Sequence, residues 1–190
     1  IKRFSLSYKT DDKKSAIAYA VKAKRLLKDI SYPEGLFELI VSLNDIMTNK
    51  RKYNSYIKIL EKVMNAIDIN RYECFYARML AVYGRIICNK NRYEEGLKIL
   101  MKSMDILKKL SAYKYMPYAL NSIGNVYSEY YNDIKKSREY YEKCLSVSQK
   151  LNNPDGMIKS YNNLAELYRI EDCYGQSMNY YNKALEVVRI

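Results

Sequence analysis

The feature that most constrains this chain is an internal repeat with a spacing of 40 or 41 residues. When residues 161–187 are aligned with residues 121–147, Tyr168 falls on Tyr127 and Ser177 falls on Ser137. Points of the same phase recur at positions 16, 56, 96, 137 and 177, and these steps cover the chain. A period of this length is the signature of a repeat architecture, in which each unit stacks on its neighbours.

Each repeat divides into two segments whose apolar residues recur at intervals of three and four, the pattern of amphipathic helices. Short polar turns, such as residues 89–93, separate the paired segments, so neighbouring helices must run antiparallel. Only six glycines and three prolines are present, too few for the many turns of an all-β fold. We therefore predict an all-α chain, with helices at 13–30, 34–49, 53–69, 72–89, 93–110, 114–131, 134–151, 155–170 and 174–190.

Composition agrees with a folded chain of this class. The 190 residues are 48% hydrophobic and 28% charged, an ordinary globular balance. The longest apolar runs, such as residues 36–43, are shorter than the roughly 18 apolar residues that a membrane span requires, so we expect no membrane partner. The chain opens on Ile1 and shows no signal-peptide pattern, and we interpret it as a piece of a longer protein.

The repeat pattern resembles that of tetratricopeptide repeats. A small residue followed three places later by an apolar or aromatic one resembles the first-helix motif of that family, and small then aromatic sites resemble its second helix. The period of about 40 exceeds the usual period of about 34 residues, and tryptophan is absent. These departures resemble the long-repeat branch, which includes Leu-Gly-Asn repeats, kinesin-light-chain repeats and bacterial sensor and regulator domains. The residues are Gly84, Gly124, Ala165, Ile87, Tyr127 and Tyr168 in first helices, and Gly96, Ser137, Ser177, Leu100, Tyr141, Tyr181 and Ala184 in second helices.

This resemblance implies an α-solenoid of antiparallel helix-turn-helix units wound as a right-handed superhelix. We expect one domain over residues 1–190. Within it we predict a partial repeat at 1–30 and full repeats at 31–70, 71–111, 112–152 and 153–190.

Most of the 22 tyrosines are predicted to be structural. Where two helices cross closely, Gly124 and Ser137 leave room that Tyr140 and Tyr141 can fill. A cofactor or base-stacking role for residues 139–143 is the alternative, but the recurrence of the same pattern at 179–183 favours packing.

The sequence offers little for catalysis. Histidine is absent, which removes the commonest ways of activating a nucleophile, and no glycine-rich phosphate loop is present. The four cysteines are irregularly spaced, and Cys88 and Cys144 fit apolar helical stripes, so we expect buried, reduced thiols in a cytoplasmic protein. We predict no enzyme activity, catalytic residues, metal or cofactor.

A formal net charge of +12 raises the question of nucleic-acid binding. The excess is +4, +5, +4 and −1 over residues 1–50, 51–100, 101–150 and 151–190, so it is spread along the chain. General solubility therefore explains the charge better than nucleic-acid binding, which we keep as an alternative function. Self-association is another alternative, because the last helix ends in apolar residues without the polar face of a terminal repeat.

The family resemblance also implies a ligand groove lined by first helices. Asparagine is a poor helix former, so its presence in first helices suggests a further use, and an amide can both donate to and accept from a peptide backbone. Arginine can hold a carboxylate, while simple solvation of these side chains is the alternative. We predict a non-catalytic protein- or peptide-binding region of a larger, bacterial signalling or regulatory protein, with partner contacts at Arg78, Arg85, Tyr118, Asn121, Asn125, Asn162, Glu166 and Arg169.

Overall fold

A computed structural model of the chain describes residues 53–189, and these residues form helices and turns without any β-strand. The predicted helices at 13–30 and 34–49 lie outside the described residues. A short 3-10 turn at Tyr113–Tyr115 precedes α4. The α-helices are α1 (Tyr53–Ala66), α2 (Glu73–Cys88), α3 (Tyr93–Lys109), α4 (Met116–Glu129), α5 (Ile134–Lys150), α6 (Pro154–Ile170) and α7 (Tyr174–Val188).

These helices confirm the all-α prediction, and each begins and ends within three residues of its predicted bounds. The largest difference is at the end of α1, which stops at Ala66 rather than at residue 69. Beyond it the backbone N–H of Asn70 donates to Oδ1 of Asp68 at 3.1 Å. An aspartate that accepts from a backbone N–H two residues later favours a turn over a continuing helix.

The chain divides into two compact units, residues 1–79 and residues 80–190. In the described part of the first unit, Ile57, Leu60 and Val63 of α1 are buried at the helical spacing of three. The predicted single domain and the predicted repeat boundaries stay predictions.

In the second unit, each helix from α3 to α7 packs against the next helix in the chain. Tyr141 of α5 forms a buried cluster with Leu164 and Leu167 of α6. Ile134 and Leu145 of α5 are partly buried against the same cluster. Because α5 and α6 belong to different repeats, the core passes from one repeat to the next, as expected of stacked helical hairpins.

Small residues allow the paired helices to cross closely. A Cβ added at Gly96 of α3 would lie 2.7 Å from the carbonyl oxygen of Gly84 in α2. One added at Gly124 of α4 would lie 2.5 Å from Cε1 of Tyr141, whose ring fills the gap. Ser137 Oγ donates to the carbonyl oxygen of Gly124 at 2.9 Å, so the polar atom of this buried serine is satisfied. The predicted packing role of Tyr141 is confirmed.

The helix-ending turns share a left-handed residue that the sequence analysis did not predict. Asn152 has φ 48°, and the N–H of the next residue, Asn153, donates to the carbonyl oxygen of Ser148 at 2.9 Å. Asparagine and aspartate adopt this conformation more readily than other non-glycine residues, which gives part of the asparagine content a structural reason. The left-handed residues are Asn91, Ser111, Asn132, Asn152 and Asp172.

The cysteines are free thiols. Cys88 and Cys144 are buried, as their place on apolar stripes predicted, and burial raises the pKa of the Cys88 thiol to about 11. Within residues 53–189, no helix combines the length and the apolar character needed to cross a membrane.

Candidate functional site

The candidate site is a row of polar side chains on the first helices of two adjacent repeats, α4 and α6. We call Tyr118, Asn121, Asn125, Asn163 and Glu166 the polar face. The α4 members are separated by three and four residues, and the α6 members by three, so each set lies along one side of its helix. All five side chains are partly buried, which leaves them both held by neighbours and accessible to a partner.

Amide hydrogen bonds connect the two helices. Nδ2 of Asn163 donates to Oδ1 of Asn121 at 2.7 Å and to Oδ1 of Asn125 at 3.5 Å. The hydroxyl of Tyr141 also donates to Oδ1 of Asn125, at 2.8 Å. Because the Tyr141 ring is buried against Gly124, this bond fixes the Asn125 amide from below. The oxygens of Asn121 and Asn125 are thus occupied, and their NH₂ groups donate to no other described residue.

The same arrangement recurs one repeat later with a carboxylate in place of the amide. Oε1 of Glu166 accepts from the hydroxyl of Tyr181, and Oε2 accepts from Nε of Arg169 at 2.8 Å. The Tyr181 bond, followed by the Arg169 bond, lowers the pKa of Glu166. Asn125 and Glu166 occupy equivalent positions 41 residues apart, as do Tyr141 and Tyr181 at 40.

A cation lies at the other end of the row. The guanidinium carbon of Arg85, on α2, is 5.5 Å from the ring centroid of Tyr118, within the range of a cation–π interaction. Arg85 is equivalent to Asn125, but its second-helix neighbour in the repeat pattern is Leu100, which has no hydroxyl to donate. A guanidinium held over a ring keeps its edge N–H groups available for a carboxylate.

The predicted contact residues divide into three groups. Asn121 and Asn125 are brought together through Asn163, and the other close pairs are Arg85 with Tyr118 and Glu166 with Arg169. Asn162 is exposed and takes no part in the amide bonds. Arg78 lies in the first compact unit, and the polar face is built from the second unit alone.

Asn163 is the member that the sequence analysis missed. It is equivalent to Ser122, a buried residue whose hydroxyl donates to the carbonyl of Tyr118 in its own helix at 2.8 Å. The longer asparagine side chain instead reaches the neighbouring helix. A signal was present in the sequence, since Asn163 lies three residues before Glu166 and hence on the same side of α6.

Comparison with known families decides what these hairpins are. Residues 115–190 match the family model described as tetratricopeptide repeat. The chain carries tetratricopeptide repeats. No curated protein sequence matches it significantly.

Solved structures with tetratricopeptide-like folds resemble the chain at low sequence identity. A Rap protein complexed with Competence and Sporulation Factor matches with a TM-score of 0.80 at 14% identity, covering 98% of this chain and 52% of that one. BtubC (BKLC) from P. vanneervenii gives 0.70 at 14% identity, covering 98% and 77%. Tetratricopeptide-like repeats of a putative kinesin light chain from Podosopora anserina give 0.60 at 12% identity, covering 98% and 92%. The chain spans about half the length of the Rap protein, and these likenesses concern the fold alone.

Proposed function

We propose that this chain is a non-catalytic interaction module that binds an extended or helical segment of a partner protein along the polar face. The observation that carries the proposal is the Asn163 bridge, which holds amides of two adjacent repeats in one network. Side chains that neighbours already fix lose little conformational freedom when a partner binds. The structurally similar Rap protein, described as complexed with Competence and Sporulation Factor, supports the choice of a peptide or protein partner.

The chemistry of the face suggests what the partner presents. The NH₂ groups of Asn121 and Asn125 are donors, so they suit the carbonyl oxygens of a peptide backbone. Arg85 suits a carboxylate, because a guanidinium binds it through paired, charge-assisted hydrogen bonds. We therefore expect a segment with an acidic residue or a free C-terminus at the Arg85 end, where Tyr118 adds an aromatic contact.

The wider setting is part of the proposal. The absence of histidine from this sequence supports a binding role over a catalytic one. Free, buried thiols at Cys88 and Cys144 support a reducing, cytoplasmic environment. We propose a regulatory or signalling protein as the source, in which partner binding at the repeats controls an attached domain.

A random peptide library selected on the chain of residues 1–190 tests the proposal. We expect the selected peptides to be enriched in acidic residues. Asn121→Ala and Arg85→Gln should each weaken their binding about tenfold, as measured by isothermal titration calorimetry, since each removes a donor worth about 1.4 kcal/mol. Circular dichroism should show unchanged helicity.

The matched control is Asn179→Ala, which removes an exposed asparagine from α7, away from the polar face. It should leave affinity unchanged. Equal affinities for all three variants would place the binding site elsewhere, and a selection that yields no binding peptide would contradict the function itself.

A further inference from the structure

The last helix, α7, carries a row of exposed apolar side chains. Tyr174 is 64% exposed, Met178 62%, Leu185 54% and Val188 65%. Their spacings of four, seven and three residues place them on one side of the helix. We call these four residues the α7 face. Single exposed apolar residues are ordinary on protein surfaces, but an aligned row indicates a contact surface.

The internal repeat identifies what this surface is built to contact. Tyr174 and Leu185 are equivalent, 40 residues on, to Ile134 and Leu145 of α5. In α5 those two residues pack against the cluster that contains Leu164 and Leu167 of α6. The corresponding side of α5 is therefore the seat of a first helix from the next repeat.

The polar side of the same interface repeats as well. Asn121 of α4 accepts a hydrogen bond from the Asn163 amide of α6. Its equivalent in the last repeat, Asn162, is exposed. Glu166 stands where Asn125 accepts the second, longer bond from Asn163. An amide on a helix docked against α7 would meet Asn162 and Glu166 as Asn163 meets Asn121 and Asn125.

We propose that the α7 face binds an amphipathic helix of a partner segment whose docking surface matches that of α6: an amide, a leucine immediately after it, and a second leucine three residues later. In α6 this pattern is Asn163, Leu164 and Leu167. A second folded copy of the chain is a poor occupant, because its own Leu164 and Leu167 are fully buried against α5. The proposal concerns a surface separate from the polar face.

The chain supplies its own probe. A fluorescently labelled synthetic peptide of residues 154–172 carries the docking pattern, and its binding to the chain of residues 1–190 is followed by fluorescence anisotropy. We expect saturable binding that weakens at least about tenfold for the peptide with Leu164→Asp and Leu167→Asp, because burial of these side chains supplies the docking energy.

The site is assigned by variants of the chain. Leu185→Glu should weaken binding of the unmodified peptide by a similar factor. The matched control is Asn182→Glu, which adds the same charge to α7 on the side equivalent to exposed Glu142 of α5, and should have no effect. Asn121→Ala, which tests the polar face, should also leave this binding unchanged. All these positions are exposed or partly exposed, and circular dichroism checks folding.

Two results would overturn the proposal. If Leu185→Glu and the parent chain bind the peptide equally, the peptide docks somewhere other than α7. If sedimentation shows a concentration-dependent dimer that Leu185→Glu abolishes, a second copy of the chain occupies the face instead.

Discussion

The hairpin of α4 and α5 and the hairpin of α6 and α7 have nearly the same sequence pattern but different burial. The α5 ring of Tyr141 is 4% exposed, whereas its equivalent in α7, Tyr181, is only partly buried. The difference arises because α6 packs on α5, while no described element covers the corresponding side of α7. Identical apolar spacing therefore predicts which residues face a neighbour, and the neighbour decides how much energy they contribute.

The polar partners of these two tyrosines follow the same logic. Tyr141 donates to the neutral amide of Asn125, and burial raises the pKa of Tyr141 to about 12. Tyr181 donates to the carboxylate of Glu166, and that hydrogen bond is the main cause of its raised pKa. A charged acceptor is affordable where solvent remains close, and the Glu166 side chain is 47% exposed.

The largest expected effect comes from the close crossing that only the α4–α5 hairpin contains. Gly124→Ala would place a Cβ 2.5 Å from the Tyr141 ring, whereas the equivalent residue of α6, Ala165, already carries one. Overpacking should lower the free energy of unfolding by about 2 kcal/mol, after allowing for the better helix propensity of alanine. Urea denaturation measures the change.

Gly175→Ala is the control for that substitution. Gly175 has nothing within 4 Å of an added Cβ, so alanine should be neutral or stabilise by up to about 1 kcal/mol. A similar gain at Gly124 would mean that the ring does not constrain the crossing.

The next effect is expected from removing the buried hydroxyl. Tyr141→Phe should lower the free energy of unfolding by about 1 kcal/mol at neutral pH, because Asn125 keeps only its longer bond from Asn163. The raised pKa of Tyr141 keeps the phenol neutral in the fold, so its contribution is intact below about pH 10 and is lost as the pH rises through about 12. Denaturation curves across that range should fall less steeply for the variant, and an unchanged slope would contradict the assignment.

The smallest effect on stability is expected at the exposed hairpin, where charge rather than packing changes. Tyr181→Phe removes the main cause of the lowered pKa of Glu166, so that pKa should rise. A lowered carboxyl pKa stabilises the fold above the unfolded value and is lost as the pH falls through the folded value, so the variant should lose part of this acid-range contribution. NMR titration of the Glu166 carboxyl measures the shift.

Tyr174→Phe serves as the comparison for this titration, since the Tyr174 hydroxyl donates to Asp172 at 2.7 Å. It should leave the titration of Glu166 unchanged. An equal shift in both variants would show that the Tyr181 hydroxyl is not the cause.

The sequence by itself determined the helices, their pairing and the small sites at which they cross. Period and spacing are local properties, and a side chain at Gly124 or Ser137 must be small whenever two helices meet there. For the same reason the burial of Cys88 and Cys144 was predictable from their stripes.

Only the tertiary structure decided which polar groups meet. Asn162 and Asn163 are adjacent in the chain, and the angle between α4 and α6 directs the second of them to Asn121. The length of a side chain and the setting of the next repeat fix such a bond, and neither appears in a 41-residue period. The left-handed asparagines at the turns belong to the same class, because their role depends on where each helix ends.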